Sequence, residues 1–128
     1  MPVTTIEVRY RYTPAEESRM IDAVHAALVE GLKIPEWDKT IRFLTHEPHR
    51  FTADPKKGER FTLISIDLFA GRSIDAKKRF YAALVRNLRA FEIPADHVKV
   101  LLREIPKENW GLRGLPASEL ELGYEINV

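Results

Sequence analysis

The sequence predicts an α+β fold in which duplicated β-α-β units form a four-stranded mixed sheet with two helices on one face. Three patterns lead to this prediction: a period-two strand near the amino terminus, two helical stripes of apolar residues, and a strand-helix-strand order that recurs at an offset of 59 or 60 residues. A chain of 128 residues is long enough for one domain with a sizeable core. We therefore interpret residues 1–128 as a single domain with an internal repeat, residues 2–60 and 61–128.

The first unit begins with a strand over residues 3–12, where apolar and charged side chains alternate. A helix start follows, with Thr13 as the cap, Pro14 in the first turn and Glu16 three positions after the cap. An apolar stripe at helical spacing extends the predicted helix to residues 31–33 (Ile21, Val24, Leu28 and Leu32). After a turn at Pro35, a second strand is predicted over residues 40–45.

The second unit follows a predicted long loop over residues 46–60, which contains prolines, a glycine and few apolar side chains. We expect at most a short strand or hairpin near residues 50–52 in this loop. The unit then repeats the first, with an apolar strand over residues 61–70, a helix capped by Ser73 and a strand over residues 98–102. The buried stripe of that helix is predicted to be Leu84 and Leu88 with either Phe80 or Tyr81. Beyond it, a loop and a short C-terminal strand at residues 124–128 are expected.

Composition narrows the classes of function. The 20 basic and 19 acidic residues are scattered along the chain, so neither nucleic acid nor a membrane surface is a predicted partner. The absence of cysteine excludes disulfides, thiol nucleophiles and cysteine-ligated metals. His46 and His49 flank Glu47, but no third ligand lies at a suitable spacing, so no metal site is predicted. Without a membrane-length apolar run or a signal-peptide pattern, a soluble cytoplasmic protein is expected.

Pro2 directly follows the initiator methionine, so removal of Met1 would leave a secondary amine at the start of the first strand. An ordinary α-amino group titrates at about 7.7 to 8.0. Burial or a nearby positive charge lowers such a pKa toward that of a general base, whereas a carboxylate keeps the amine cationic. The alternative interpretation is that Pro2 only rigidifies the strand start, where a missing N–H is harmless.

Five features of the chain together resemble the tautomerase superfamily, and within it the malonate semialdehyde decarboxylase-like group. In order, they are Met1-Pro2, Pro35-Glu36-Trp37-Asp38, Thr45-His46-Glu47-Pro48, Arg72 ahead of a helix containing Phe80-Tyr81, and Asn109-Trp110. The resemblance covers nearly the full chain. It implies the tautomerase/MIF-like fold, a homotrimer, and a cofactor-independent enzyme with an active site around each terminal proline.

The resemblance also implies roles for individual residues. In the decarboxylase group a cationic proline polarises a carbonyl, an aspartate activates water, and two arginines hold the substrate carboxylate. Pro2 and Asp38 fall on the first two roles and Arg72 on the second arginine, but Ala70 stands where the first arginine is expected. We hypothesise that one of two arginines near the amino terminus, Arg9 or Arg11, supplies the missing charge.

A wall of the active site is implied as well. Trp110 matches the family's tryptophan beside the proline, while Gly111 and Leu112 replace a serine and a phenylalanine, which predicts a differently shaped wall. The alternative interpretations are structural: Asp38 as a turn aspartate, Arg72 as a solvated side chain, and Trp110 as packing in the core or between subunits.

The expected function is therefore that of an enzyme acting on a small 2-oxo acid, enol or unsaturated carboxylate. Catalysis is expected from Pro2, Asp38 and Arg72, with substrate contacts from Arg72, Trp110 and Leu112. A malonate semialdehyde decarboxylase or hydratase activity, with a cationic proline and Asp38-activated water, is the alternative within the family. A trimeric binding protein without catalysis is the alternative outside it.

Overall fold

The computed structural model describes residues 2–128, and its main element is a four-stranded mixed sheet. The strands and helices are, in chain order, β1 (Val3–Val8), α1 (Pro14–Leu32), β2 (Ile41–Thr45), β3 (Thr62–Phe69), α2 (Ile74–Leu88) and β4 (Val98–Ile105). The strand order is β2-β1-β3-β4, with parallel outer pairs and an antiparallel central pair. Parallel strands need a crossover connection, which α1 and α2 provide. The predicted fold class is confirmed; the internal duplication stays a prediction.

Both helices start where their capping residues predict. The Thr13 hydroxyl accepts a hydrogen bond from the Glu16 backbone N–H at 3.2 Å, and the Glu16 carboxylate accepts one from the Thr13 N–H at 2.9 Å. At the start of α2, the Ser73 hydroxyl accepts from the Ala76 N–H at 3.1 Å. These bonds satisfy amide groups that have no partner inside the helix.

The core lies between the helices and one face of the sheet. Alternate residues of β1 and β3 point into it, and α2 contributes Phe80 rather than Tyr81, which is partly exposed. The two helices touch through their backbones, since a Cβ added to Gly31 would lie 2.4 Å from the Cα of Phe80. Asn87 on α2 also donates to the Ala23 carbonyl on α1 at 3.1 Å. The expectation of two helices on one face is thereby met.

Within residues 2–128, no helix covers the opposite face of the sheet. Leu44 on β2 and Leu101 on β4 are 46% and 47% exposed on this face. On the same face, Arg103 of β4 donates to the Asp67 carboxylate of β3 at 2.6 Å. The protein thus has an open sheet face of mixed apolar and charged character.

The loop between the two units contains a 3₁₀ turn at Pro48–Arg50, and the expected strand or hairpin near residues 50–52 is absent. Arg9 binds the loop instead, donating to the carbonyls of Phe51 and Gly58, both at 2.9 Å. The Gly58 N–H in turn donates to the His97 ring at 2.8 Å. Side chains outside the loop satisfy its backbone groups, so strand pairing is not needed.

Other strand boundaries also differ from prediction. β1 ends at Val8 because the following residues leave the sheet, and Tyr10 stacks under the Arg60 guanidinium at 3.9 Å. The predicted strand at residues 124–128 is wrong. A two-stranded hairpin occurs earlier, as β5 (Gly111–Leu112) and β6 (Leu115–Pro116), while the last residues pack by their side chains. Within residues 2–128, neither helix has the length and apolar character needed to span a membrane.

Candidate active site

Strand register places Pro2 beside two segments that carry predicted site residues. Val3 pairs with Asp67 of β3, and Thr4 pairs with Ile41 of β2. If both pairings are extended by one residue, from Val3 to Pro2, then Pro2 lies opposite the chain just before β2 on one side. On the other side it lies opposite the end of β3. Pro2 is buried there.

Asp38 belongs to the turn that leads into β2. Its N–H donates to the Pro35 carbonyl at 3.1 Å, which makes the turn, and its side chain is only 4% exposed. The carboxylate oxygen Oδ2 accepts a hydrogen bond from the Tyr124 hydroxyl at 2.7 Å. A buried carboxylate without hydrogen-bond partners is costly, and the bond from Tyr124 lowers that cost.

Arg72 lies just after β3, in the short turn before α2, and is 6% exposed. Its Nη1 donates to the Phe69 carbonyl at 3.0 Å. Its Nε and Nη2 are buried and have no hydrogen-bond partner in the part of the chain that the structure describes. Burial lowers the pKa of Arg72, and the nearby Tyr124 and Asp38 oppose that shift. A buried guanidinium with unused donors is suited to a carboxylate ligand.

Tyr124 joins Asp38 and Arg72, and sequence reasoning missed it. Burial is the largest cause of its raised pKa; the bond to Asp38 adds to the rise and Arg72 opposes it. The phenol therefore stays protonated at neutral pH and acts as a donor. Tyr124 and Asp38 are 86 residues apart, and no local pattern in the tail signals that contact.

An apolar cluster forms the wall beside these three side chains. Trp110 packs on Phe69 with ring centroids 4.8 Å apart, and its indole N–H donates to the Ile105 carbonyl at 3.2 Å. Leu112 on the β5–β6 hairpin packs against the same cluster as Trp110 and Tyr124. Leu112 also lines a cleft of about 300 Å³. The remaining residues of this cleft are Trp37, Arg113, Leu120, Glu121 and Leu122.

The structure therefore brings Asp38 and Arg72 together at the strand ends next to Pro2, with Trp110 and Leu112 in the adjoining wall. It does not bring Arg9 or Arg11 there. Both follow the other end of β1, about 20 Å away along a six-residue strand. Arg9 holds the loop described above, and Arg11 pairs with Glu47 at 2.7 Å. Within one chain, the hypothesis that either replaces the arginine expected at Ala70 is wrong.

Across residues 2–128, no group of three or more histidine, aspartate or glutamate side chains is placed to hold a metal ion. His46 instead faces Glu7, with Nε2 3.0 Å from the carboxylate.

The family model of the tautomerase enzymes matches residues 38–113, more than half of the chain, and the protein belongs to this family. It is similar to the 2-hydroxymuconate tautomerase of Comamonas testosteroni, with 39% identity over 56 residues. That match covers 43% of this chain and 89% of the relative.

Solved structures with the same fold match most of the chain. A malonate semialdehyde decarboxylase designated FG41, inhibited by 3-bromopropiolate, matches with a TM-score of 0.70 at 28% identity, over 84% of this chain and 86% of that one. A fused 4-OT protein described as an asymmetric trimer matches with a TM-score of 0.83 at 18% identity, over 91% of this chain and 97% of that one. The second likeness shows the fold alone.

Proposed function

We propose that the protein is a cofactor-independent enzyme that uses the amine of Pro2, exposed by removal of Met1, on a small 2-oxo acid, enol or unsaturated carboxylate. Arg72 carries this proposal. Its Nε and Nη2 are buried and have no hydrogen-bond partner within the described residues, and unsatisfied buried donors are costly to keep for packing alone. A substrate carboxylate would complete its hydrogen bonds.

Tautomerisation follows if the Pro2 amine is neutral at the working pH. With the carboxylate held by Arg72, the amine takes the proton from an enol hydroxyl, and the carbonyl forms as the double bond shifts. The resulting ammonium returns that proton to carbon, so the substrate is isomerised and the amine is regenerated. Such proton transfer contributes about 10² to 10⁴-fold to a rate. Burial of Pro2 favours the neutral amine.

Hydration or decarboxylation is the second candidate, favoured by the buried Asp38 and by the 28% identity to a malonate semialdehyde decarboxylase. Here a cationic Pro2 polarises the substrate carbonyl, Asp38 takes a proton from water, and the hydroxide oxygen adds to carbon. In a 3-oxo acid, the carbon–carbon bond electrons instead move toward the polarised carbonyl as carbon dioxide leaves. A homotrimer of such subunits, in the cytoplasm, completes the proposal.

The test begins with mass-verified protein that lacks Met1. We expect Pro2→Ala to lower the rate of ketonisation of an enol substrate by at least about 100-fold, while Pro55→Ala, in the exposed distal loop, leaves it unchanged. The alkynyl ketone 2-oxo-3-pentynoate, which inactivates another protein of this fold, should add one label at Pro2 by conjugate addition.

A pH titration of the ¹⁵N-labelled Pro2 amine separates the two chemistries. A midpoint below the ordinary value of about 7.7 to 8.0 indicates a base and a tautomerase. A midpoint above it indicates a cation and a hydratase or decarboxylase, for which malonate semialdehyde is the substrate to assay. Turnover that survives Pro2→Ala unchanged, or no turnover with any of these substrates, contradicts the enzyme and supports a non-catalytic binding protein.

A further inference from the structure

We propose that Tyr124 is a positioning residue of this active site, which holds the Asp38 carboxylate in place for proton transfer and links it to the carboxylate anchor Arg72. The inference rests on the proposed function. It concerns a residue in the tail, outside the motifs from which the site was predicted.

The hydroxyl of Tyr124 makes the contact on which the proposal depends. It donates to Asp38 Oδ2 at 2.7 Å, the usual length of a hydrogen bond between two oxygen atoms. Because the bond is made to one named oxygen of a buried carboxylate, it fixes the orientation of the Asp38 side chain.

Packing on both sides keeps the Tyr124 ring in this place. Trp37 meets the ring edge-on, with centroids 6.1 Å apart. Two residues further on, Ile126 is buried in the apolar cluster beside Phe69. The carbonyl of Val128 then accepts a hydrogen bond from the Ser73 hydroxyl at 3.0 Å. The tail is thus attached on both sides of the turn that carries Arg72.

Asn127 shows how closely the tail approaches that turn. A Cβ at Gly71 would lie 2.5 Å from the Asn127 side-chain oxygen, and Gly71 has a φ of +133°, which favours glycine. The chain next to Arg72 is therefore shaped to admit the tail. This close approach places Tyr124 near enough to Arg72 for each to affect the other's pKa.

Kinetics of Tyr124→Phe test the proposal, because the substitution keeps the ring and removes only the hydroxyl. We expect kcat to fall by about 10 to 100-fold, as for loss of one hydrogen bond to a charged group, with KM changed by less than about threefold. In an Asp38→Asn background the same substitution should cost less than about threefold, because the interaction has already been altered. Tyr81→Phe, at an exposed tyrosine of α2, is the matched control.

A purely structural role gives a different result. In that case Tyr124→Phe lowers the rate by the same factor with and without Asp38→Asn, and the loss follows a lower melting temperature. Either this independence or a kcat equal to that of the unmodified enzyme overturns the proposal.

A second measurement does not need turnover. Because burial and, after it, the Asp38 contact raise the pKa of Tyr124, the ¹³Cζ signal absent from Tyr124→Phe should titrate well above pH 10. Asp38→Asn removes the second cause and should lower the midpoint. The folded pKa is raised, so this stabilisation is complete below about pH 10 and is lost as pH rises further. If this titration is as expected but no Pro2-dependent turnover exists, the proposed function fails and the contact stands. A Tyr124 signal that titrates near pH 10 contradicts the contact itself.

Discussion

At the scale of single residues, Arg72 is held at a cost to the fold. Its guanidinium is 6% exposed and uses Nη1 for the Phe69 carbonyl, while Nε and Nη2 have no partner among residues 2–128. Each unsatisfied buried donor costs about 1–3 kcal/mol, whereas one ordinary hydrogen bond contributes about 1 kcal/mol. The two unsatisfied donors therefore cost more free energy than the single hydrogen bond returns. Such a cost is expected if Arg72 serves to bind a ligand.

Arg72→Met should therefore separate stability from binding. In an Asp38→Asn background, where no buried carboxylate loses its neighbouring cation, we expect the free energy of unfolding to stay equal or rise by about 1–3 kcal/mol, measured by urea denaturation. Affinity for a small carboxylate should fall by at least about 100-fold in calorimetry. Arg72→Lys should restore little binding, because lysine lacks the planar fork. The control is Arg103→Met, whose exposed pairing with Asp67 contributes at most about 1 kcal/mol. A strongly destabilised Arg72→Met that still binds carboxylates contradicts this assignment.

The position of a predicted site residue could be inferred from the sequence where the residue lies beside a strand or helix end, while its role stays a prediction. Asp38 and Arg72 flank such ends, and the structure brings them together beside the strand that Pro2 begins. Tyr124 could not be found in this way, because its contact with Asp38 spans 86 residues and depends on how the tail crosses the domain. The prediction for Arg9 failed for a related reason. Arg9 is close to Pro2 in sequence, but the full length of β1 separates the two residues in space.

At the scale of elements, the contact between α1 and α2 depends on Gly31. Its missing side chain lets the Phe80 backbone approach within 2.4 Å of where a Cβ would stand. The Gly31 carbonyl also accepts a hydrogen bond from Arg79 at 3.2 Å. A side chain at this position must push the helices apart.

Gly31→Ala should consequently destabilise the protein by at least about 1–3 kcal/mol, the usual cost of overpacking, although alanine favours helix by about 1 kcal/mol over glycine. Thermal and urea unfolding measure the change. Gly111→Ala is the control, since a Cβ there meets nothing within 4 Å. An unchanged or higher stability for Gly31→Ala would show that the helices separate without cost.

Helices and strands, like site residues, were predicted accurately only where the signal is local in sequence. The starts of both helices and the end of α1 were predicted within about a residue, because capping residues and apolar stripes are local signals. Strand ends were less accurate: β4 continues to Ile105, since pairing with β3 extends it beyond its apolar stretch. The expected strand at residues 124–128 is absent because that segment contacts the domain through its side chains and through the Val128 carbonyl, which accepts from Ser73, without pairing with a strand.

At the scale of the whole molecule, the open sheet face is the surface on which we expect subunits to associate. Leu44 and Leu101 are about half exposed there, and a two-layer arrangement leaves that side of a sheet without apolar cover. Exposed apolar side chains of this kind mark a surface for protein–protein association, as the proposed homotrimer requires.

Light scattering coupled to size exclusion should give a mass of three times the 14.8 kDa chain. Leu44→Glu combined with Leu101→Glu should lower the mass toward one chain, because charges buried without partners are costly. Ile74→Glu, at an apolar residue exposed on α2, should leave the mass unchanged. A trimer that persists in the double variant contradicts this face as the interface, and a monomeric starting protein contradicts the trimer.

Because β1 and β3 are antiparallel, the two repeats begin at opposite ends of the sheet. This arrangement limits the number of active sites that one chain can form. The repeat offset of 59 residues takes Pro2 to Phe61, which precedes β3 at the other end of the sheet, and takes Asp38 to His97. Phe61 follows Arg60 through a peptide bond, so its nitrogen is an amide and cannot titrate as an amine. The loop bound by Arg9 and His97 covers that second end. The two ends are therefore chemically unequal: removal of Met1 would leave an amine at one end, whereas the nitrogen at the other end stays an amide.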